Sequence, residues 1–179
     1  MERILYTKAG GLDSIAIEKF EETIPGPGEV RVRVSRAGIN FADLMMRQGL
    51  YGSAPDFPFT PGYEASGVIS AIGEGVEGLE VGQRVLAMTG FGGYSQSVQI
   101  SAERAIPIPN EMSDDAAASL GVTYGTAYHM LVHLGNLQAG DSVLIHHAAG
   151  GVGTAAAQIC QAYGATNLVG TASAAKKEF

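Results

Sequence analysis

His147-Ala148-Ala149-Gly150-Gly151-Val152-Gly153 lies between an apolar run, Ser142 to His146, and an alanine-rich segment, Thr154 to Tyr163. That order reads as a strand, a tight glycine turn and a helix. It is the context in which a glycine-rich loop becomes a dinucleotide site rather than a plain turn. Small residues at Ala148, Gly150 and Gly153 let the backbone turn sharply, approach a pyrophosphate and seat the helix against the strand. Ala149, Gly151 and Val152 complete the loop, where the N–H groups and dipole of a helix start favour phosphate charge. A glycine run alone also fits an ordinary tight turn; the flanking strand and helix favour the cofactor reading.

The next strand, Asn167 to Thr171, is followed by Ala172-Ser173-Ala174-Ala175-Lys176-Lys177. About 20 residues beyond the glycines, an NAD site carries an Asp or Glu for the ribose hydroxyls. Here Ser173, Lys176 and Lys177 stand instead, and a hydroxyl with two cations suits a 2′-phosphate. NADPH is therefore favoured over NADH. The competing reading makes the lysines a solvated first helical turn. A doubly wound dinucleotide domain has about six strands. This chain supplies strand, helix and strand, then reaches Phe179 in what reads as a new helix, so the expectation is a truncated domain.

The 179 residues fit one domain, or one domain and part of another; 46% are hydrophobic, enough for a packed core. Twenty-five glycines point to many turns, as in a small strand-rich barrel. A net charge of −7 without a basic stripe argues against a nucleic-acid surface. The single cysteine, Cys160, excludes a disulfide framework and a thiolate-rich zinc site, and its neighbours make it a small core residue. Met1 to Tyr6 lacks the apolar run of a secretion signal, and no segment reaches the roughly 20 apolar residues of a membrane span. The expectation is a soluble, cytoplasmic protein.

Ile4 to Thr7 and Ile15 to Phe20 read as a hairpin around Gly10-Gly11. Pro25-Gly26-Pro27-Gly28 is a strong turn. It launches Val30-Arg31-Val32-Arg33-Val34, whose strict alternation predicts a half-buried strand. Asn40 to Arg47 has helical spacing, with Phe41, Leu44 and Met45 on one face. Ala65 to Ile72, Gly82 to Met88 and Gly93 to Ile100 continue the strands, and this spacing suggests a barrel or sandwich. Ser113-Asp114-Asp115-Ala116 looks like a capped helix start. Ala116 to Leu134 reads as two helices broken around Gly121. The predicted division is 1–120 and 121–179.

Within the first part, Asn40-Phe41-Ala42-Asp43 opens a short helix, Tyr51 follows it, and Pro61-Gly62-Tyr63-Glu64 precedes a strand. With Ala37-Gly38-Ile39-Asn40-Phe41-Ala42-Asp43, Arg47-Gln48-Gly49-Leu50-Tyr51, Val81-Gly82-Gln83-Arg84-Val85 and the Gly150–Gly153 loop, these motifs resemble the N-terminal half of zinc-independent medium-chain dehydrogenase/reductases. The branch is that of the quinone oxidoreductases, close to vesicle amine transport protein-like members in Asn40 to Tyr51 and Gly170 to Lys176. The resemblance runs in order from Gly28 to Lys177. It implies an α/β plus β architecture: a GroES-like β-barrel domain, then the start of a Rossmann dinucleotide-binding domain, with the active site in the cleft between them.

Zinc alcohol dehydrogenases of that superfamily place a Cys and a His where this chain has Asn40 and Tyr63, which cannot replace a thiolate and an imidazole at tetrahedral zinc. Without a metal to polarise an alcohol, the resemblance implies hydride delivery from NADPH to an electrophile, a quinone or an α,β-unsaturated carbonyl compound. It places Asn40, Asp43 and Tyr51 in the nicotinamide and substrate cleft, Thr126 at the nicotinamide, and Tyr63 with Glu64 as relics of the zinc site. Each has a plainer reading: Asp43 anchoring its helix, Tyr51 packing a loop, Thr126 buried in a helix. The resemblance also implies a homodimer and little turnover from this chain alone. Rival functions are reduction of enoyl thioesters or alkenals, and a non-catalytic protein that binds NADPH or a partner. His129 and His133 have a metal-ligand spacing but no third ligand, so a surface or interface pair is favoured. His146 and His147 sit beside the glycine loop.

Overall fold

The computed structural model describes residues Met1–Lys176; Lys177, one of the two lysines expected at a 2′-phosphate, lies outside the described residues. The chain divides into two compact units, Met1–Gly121 and Val122–Phe179.

The first unit opens with an antiparallel hairpin of β1 (Glu2–Tyr6) and β2 (Ile15–Lys19), in which Tyr6 pairs with Ile15. Its main body is a five-stranded antiparallel sheet of β3 (Glu29–Ala37), β4 (Glu64–Ile72), β5 (Arg84–Met88), β6 (Ser97–Ser101) and β7 (Ala105–Pro107). The spatial order is β6-β3-β4-β5-β7. The alternation in β3 does what its period dictates: Val30 and Val32 are buried with Ile69, Val85, Ala87 and Ile100, while Arg31 and Arg33 take the other face. Irregularities between Arg31 and Val32, and between Val34 and Arg36, shift the β3–β4 register, the device by which a sheet is made to bend.

Helix α1 (Phe41–Arg47) is seven residues long. The spacing predicted an apolar face of Phe41, Leu44 and Met45, but Phe41 is 75% and Leu44 45% exposed. The buried residues are Met46, packed with Tyr6 and Phe59, and Asp43. Five of its seven residues are apolar, so spacing alone does not single out one face, and the side facing the core carries a carboxylate. Helix α2 (Asp114–Ala118) starts where its cap indicates: Ser113 Oγ accepts from Ala116 N–H at 3.1 Å.

The second unit begins within α3 (Gly121–Tyr128), which runs directly into a π-helical turn over His129–Leu134. Strand β8 (Ser142–Ile145), helix α4 (Gly151–Ala162) and strand β9 (Asn167–Gly170) follow, with β8 and β9 parallel and Ser142 opposite Asn167. A helical crossover between adjacent parallel strands is the βαβ unit. Ala127 of α3 and Ala155 and Ala156 of α4 form its small core with Ile145 and Val152. Cys160 is buried on α4, as its setting in the sequence implied. No helix among the described residues is long and apolar enough to cross a membrane.

Candidate functional site

In the first unit, Asn40 sits in extended backbone as the N-cap of α1 and is held from two sides. Its backbone N–H donates to Asp43 Oδ2 at 2.7 Å, and its side-chain Nδ2 donates to Glu64 Oε1 at 3.0 Å. Both carboxylates are 1% exposed. A buried carboxylate needs hydrogen-bond donors, and Asp43 Oδ2 takes a second from the hydroxyl of Tyr94 at 2.6 Å. Asp43 Oδ1 has no hydrogen-bond partner among the described residues. Asp43 thus occupies the anchoring position, tying the start of α1 to the loop before β6.

Glu64 begins β4, and the space for its side chain is made by glycines. A Cβ on Gly38 would lie 2.5 Å from Glu64 Oε1 and 2.4 Å from the Ala118 carbonyl; one on Gly121 would lie 2.9 Å from Glu64 Oε2. Gly38 is therefore a steric requirement of the carboxylate behind it.

Tyr51 and Tyr63 meet edge to face, with centroids 6.5 Å apart, and Tyr63 packs on Phe91 at 5.4 Å. Burial, then a hydrogen bond with Tyr51, pushes the Tyr63 phenol well above its ordinary range. Burial and the hydrogen bond to Asp43 push Tyr94 up as well. Both phenols stay protonated at neutral pH. The arrangement offers an amide, neutral phenols and fixed carboxylates, a set suited to hydrogen-bonding a polar oxygen and poor for metal binding.

In the second unit, the chain leaves β8, places His147 in the left-handed region (φ 55°) and enters α4 with Gly150 as N-cap. The Gly150 carbonyl accepts from Thr154 N–H at 2.8 Å. Gly153 is pressed onto the turn: a Cβ there would lie 2.4 Å from the His147 carbonyl and 2.7 Å from Ala148 Cα. Gly153 thus seats the start of α4 directly on the turn, and the first-turn N–H groups over Gly151–Gly153 are those a helix start leaves for an anion such as phosphate. After β9, Ser173 accepts at its carbonyl from Lys176 N–H at 2.9 Å, and Lys176 Nζ lies 3.4 Å from the Ala149 carbonyl. Lys176 therefore reaches back to the glycine loop from an exposed 3-10 turn.

Thr126 lies on the exposed side of α3, while its neighbour Ala127 is buried. His146 Nδ1 is 3.0 Å from Thr171 Oγ1. The His129 and His133 rings are 5.6 Å apart on the π-helical turn, with His133 edge-on to Tyr128. One site group escaped the sequence reading, and one bond of another did. Tyr94 had no signal, since its partner is 51 residues away; Glu64 was noticed, but its bond to the Asn40 side chain was not.

Residues 26–110 match the alcohol dehydrogenase GroES-like domain. The chain is 44% identical over 177 residues to the human synaptic vesicle membrane protein VAT-1 homolog; the match takes in 98% of this chain and 45% of that protein. It superposes on Escherichia coli quinone oxidoreductase complexed with NADPH with a TM-score of 0.92 at 34% identity, over 99% of this chain and 55% of that one. It superposes on the CurK enoyl reductase with a TM-score of 0.88 at 35% identity, over 99% and 56%. The chain spans about half the length of the proteins it matches.

Proposed function

Because this chain belongs to the medium-chain dehydrogenase/reductases, in their zinc-independent quinone oxidoreductase branch, we propose that it serves NADPH-dependent hydride delivery to a quinone or another electrophilic carbonyl compound. Its fold is accordingly a GroES-like β domain followed by a Rossmann-type βαβ unit. The observation that carries the cofactor reading is Gly153 pressed against the His147–Ala148 backbone at the start of α4, after a parallel strand. NADPH would be held by the loop Ala149–Gly153 through its pyrophosphate, with Ser173, Lys176 and Lys177 toward the 2′-phosphate. Bound there, the cofactor supplies the hydride.

The remaining groups bind and orient. Asn40, fixed by Asp43 and Glu64, would offer its amide to nicotinamide or substrate, and Thr126 would contact the nicotinamide. Tyr51 donates a hydrogen bond to the acceptor's oxygen, with Tyr63 behind it. A neutral phenol at Tyr63 and an amide at Asn40 are not a zinc ligand set, which favours acceptors that are electrophilic without a metal. The likeness to an enoyl reductase supports a second acceptor class, the α,β-unsaturated thioesters. As a small-molecule oxidoreductase, the protein would work in the cytoplasm as a homodimer.

Fluorescence titration with NADPH and NADH, with Lys176→Ala/Lys177→Ala alongside, tests the reading. Preference for NADPH that disappears in the variant is expected. Equal affinity for the two nucleotides, unchanged in the variant, would remove the lysines from the site.

A further inference from the structure

A cavity of about 380 Å³ lies in the first unit, away from the Asn40 network, between the segment around residues 20–23 and the polar face of β3 and β6. The segment is tied over the sheet by two hydrogen bonds: Thr23 Oγ1 donates to Gln99 Oε1 at 2.5 Å, and Arg31 Nη1 donates to the Thr23 carbonyl at 3.1 Å. Four buried side-chain polar atoms have no hydrogen-bond partner among the described residues. Three of them, Glu22 Oε1, Thr60 Oγ1 and Ser97 Oγ, belong to residues that line this cavity. Ser97 is only 5% exposed. Unpartnered buried polar atoms are rare and costly, and three around one cavity of small-molecule size mark a site rather than a flaw in packing.

We propose that this cavity binds a small neutral polyhydroxyl compound of monosaccharide size. Both cations on its walls are already paired, and the one wall carboxylate without an ion pair among the described residues, Glu21, is exposed to solvent. Glu22 Oε1 is 3.7 Å from Arg31 Nε and 3.6 Å from Arg33 Nη2, and Arg3 Nε pairs with Glu18 at 2.6 Å. A charged ligand would upset those pairs. What is unmet is one carboxylate lone pair and two hydroxyls, and a polyol answers all three: it donates to Glu22 and exchanges hydrogen bonds with Ser97 and Thr60. Phe20, whose ring carries the Arg3 guanidinium at 5.3 Å from its centre, also lines the cavity. The site is independent of NADPH and of hydride transfer.

The test is an amide chemical-shift titration of the isotope-labelled chain with myo-inositol and glucose, against glycine and inorganic phosphate. The expected result is saturable shifts at Glu22, Thr60 and Ser97 with a dissociation constant of about 1 mM or tighter. Binding should weaken about tenfold or more in Glu22→Gln, through loss of a charge-assisted bond. Glu22→Gln sits on a surface segment and keeps the shape of the side chain, so it reports even if Ser97→Ala does not fold. Absence of saturation by either polyol would leave ordered water as the occupant and overturn the proposal. So would selective binding of glycine or phosphate, or unchanged polyol affinity in folded Glu22→Gln.

Discussion

The hydroxyl of Tyr94 donates to Asp43 Oδ2 at 2.6 Å, and the same oxygen receives the backbone N–H of Asn40 at 2.7 Å. One carboxylate oxygen thereby joins the loop before β6 to the first residue of the candidate site. Asn40 is thus held, through Asp43, by a residue far along the chain.

Tyr94→Phe keeps the ring and removes only that donor. It should cost about 1.5–3 kcal/mol, the range for a hydrogen bond to a charged group, read from urea unfolding. Amide exchange should quicken at Asn40 and Asp43 ahead of Val32 and Ile69. Uniform acceleration across the unit would mean that Tyr94 is merely a packing residue.

Gly153→Val should destabilise the second unit by about 1–3 kcal/mol or more through overpacking, because its Cβ would fall 2.4 Å from the His147 carbonyl. NADPH binding should be lost with it. Gly125→Ala in α3 is the control: a Cβ there meets nothing within 4 Å, and the helix should gain up to about 1 kcal/mol. Thermal unfolding of both variants reads the contrast.

Asp114 Oδ1 lies 2.6 Å from Arg84 Nη2, and that hydrogen bond holds the carboxyl below its ordinary value of 3.8. A depressed folded value gives stability that is whole above the unfolded value and is lost as pH falls through the folded one. Both side chains are partly exposed, so the effect should stay below about 1 kcal/mol. Asp114→Asn should flatten the acid limb of the stability profile; an unaltered limb would show that the pair contributes nothing.

Tyr63 and Tyr94 are pushed up, so the sign reverses. Their contribution is intact below the unfolded tyrosine value of 10.0 and is lost as pH rises above it. In ultraviolet titration both should ionise only as the protein unfolds in alkali. Tyr63→Phe should raise the pH of alkaline unfolding, and ionisation of Tyr63 in the folded protein would contradict its burial.

The sequence displayed those parts of the molecule whose physics is local. The alternation of Val30 and Val32 fixes the buried face of β3, and the run from Ser142 to Gly153 carries strand, turn and helix in one stretch. Ser113 announces α2 through a bond spanning three residues. Relations across the chain stayed hidden. Helical spacing put Phe41, Leu44 and Met45 on one face of α1, but the buried face is set by Met46 and by Asp43, whose carboxylate is met by Tyr94 far along the chain. The π-helical turn at His129–Leu134 continues the apolar spacing of α3, so nothing in the residues marks it.

The central claim is a pyrophosphate site at the start of α4, and amide mapping of the labelled chain with NADPH tests it most directly. The account predicts saturable shifts concentrated at Ala149 to Gly153 and at Ser173 and Lys176, absent in Gly153→Val. Shifts that avoid this loop, or none at all while the fold of the second unit is intact, would contradict it.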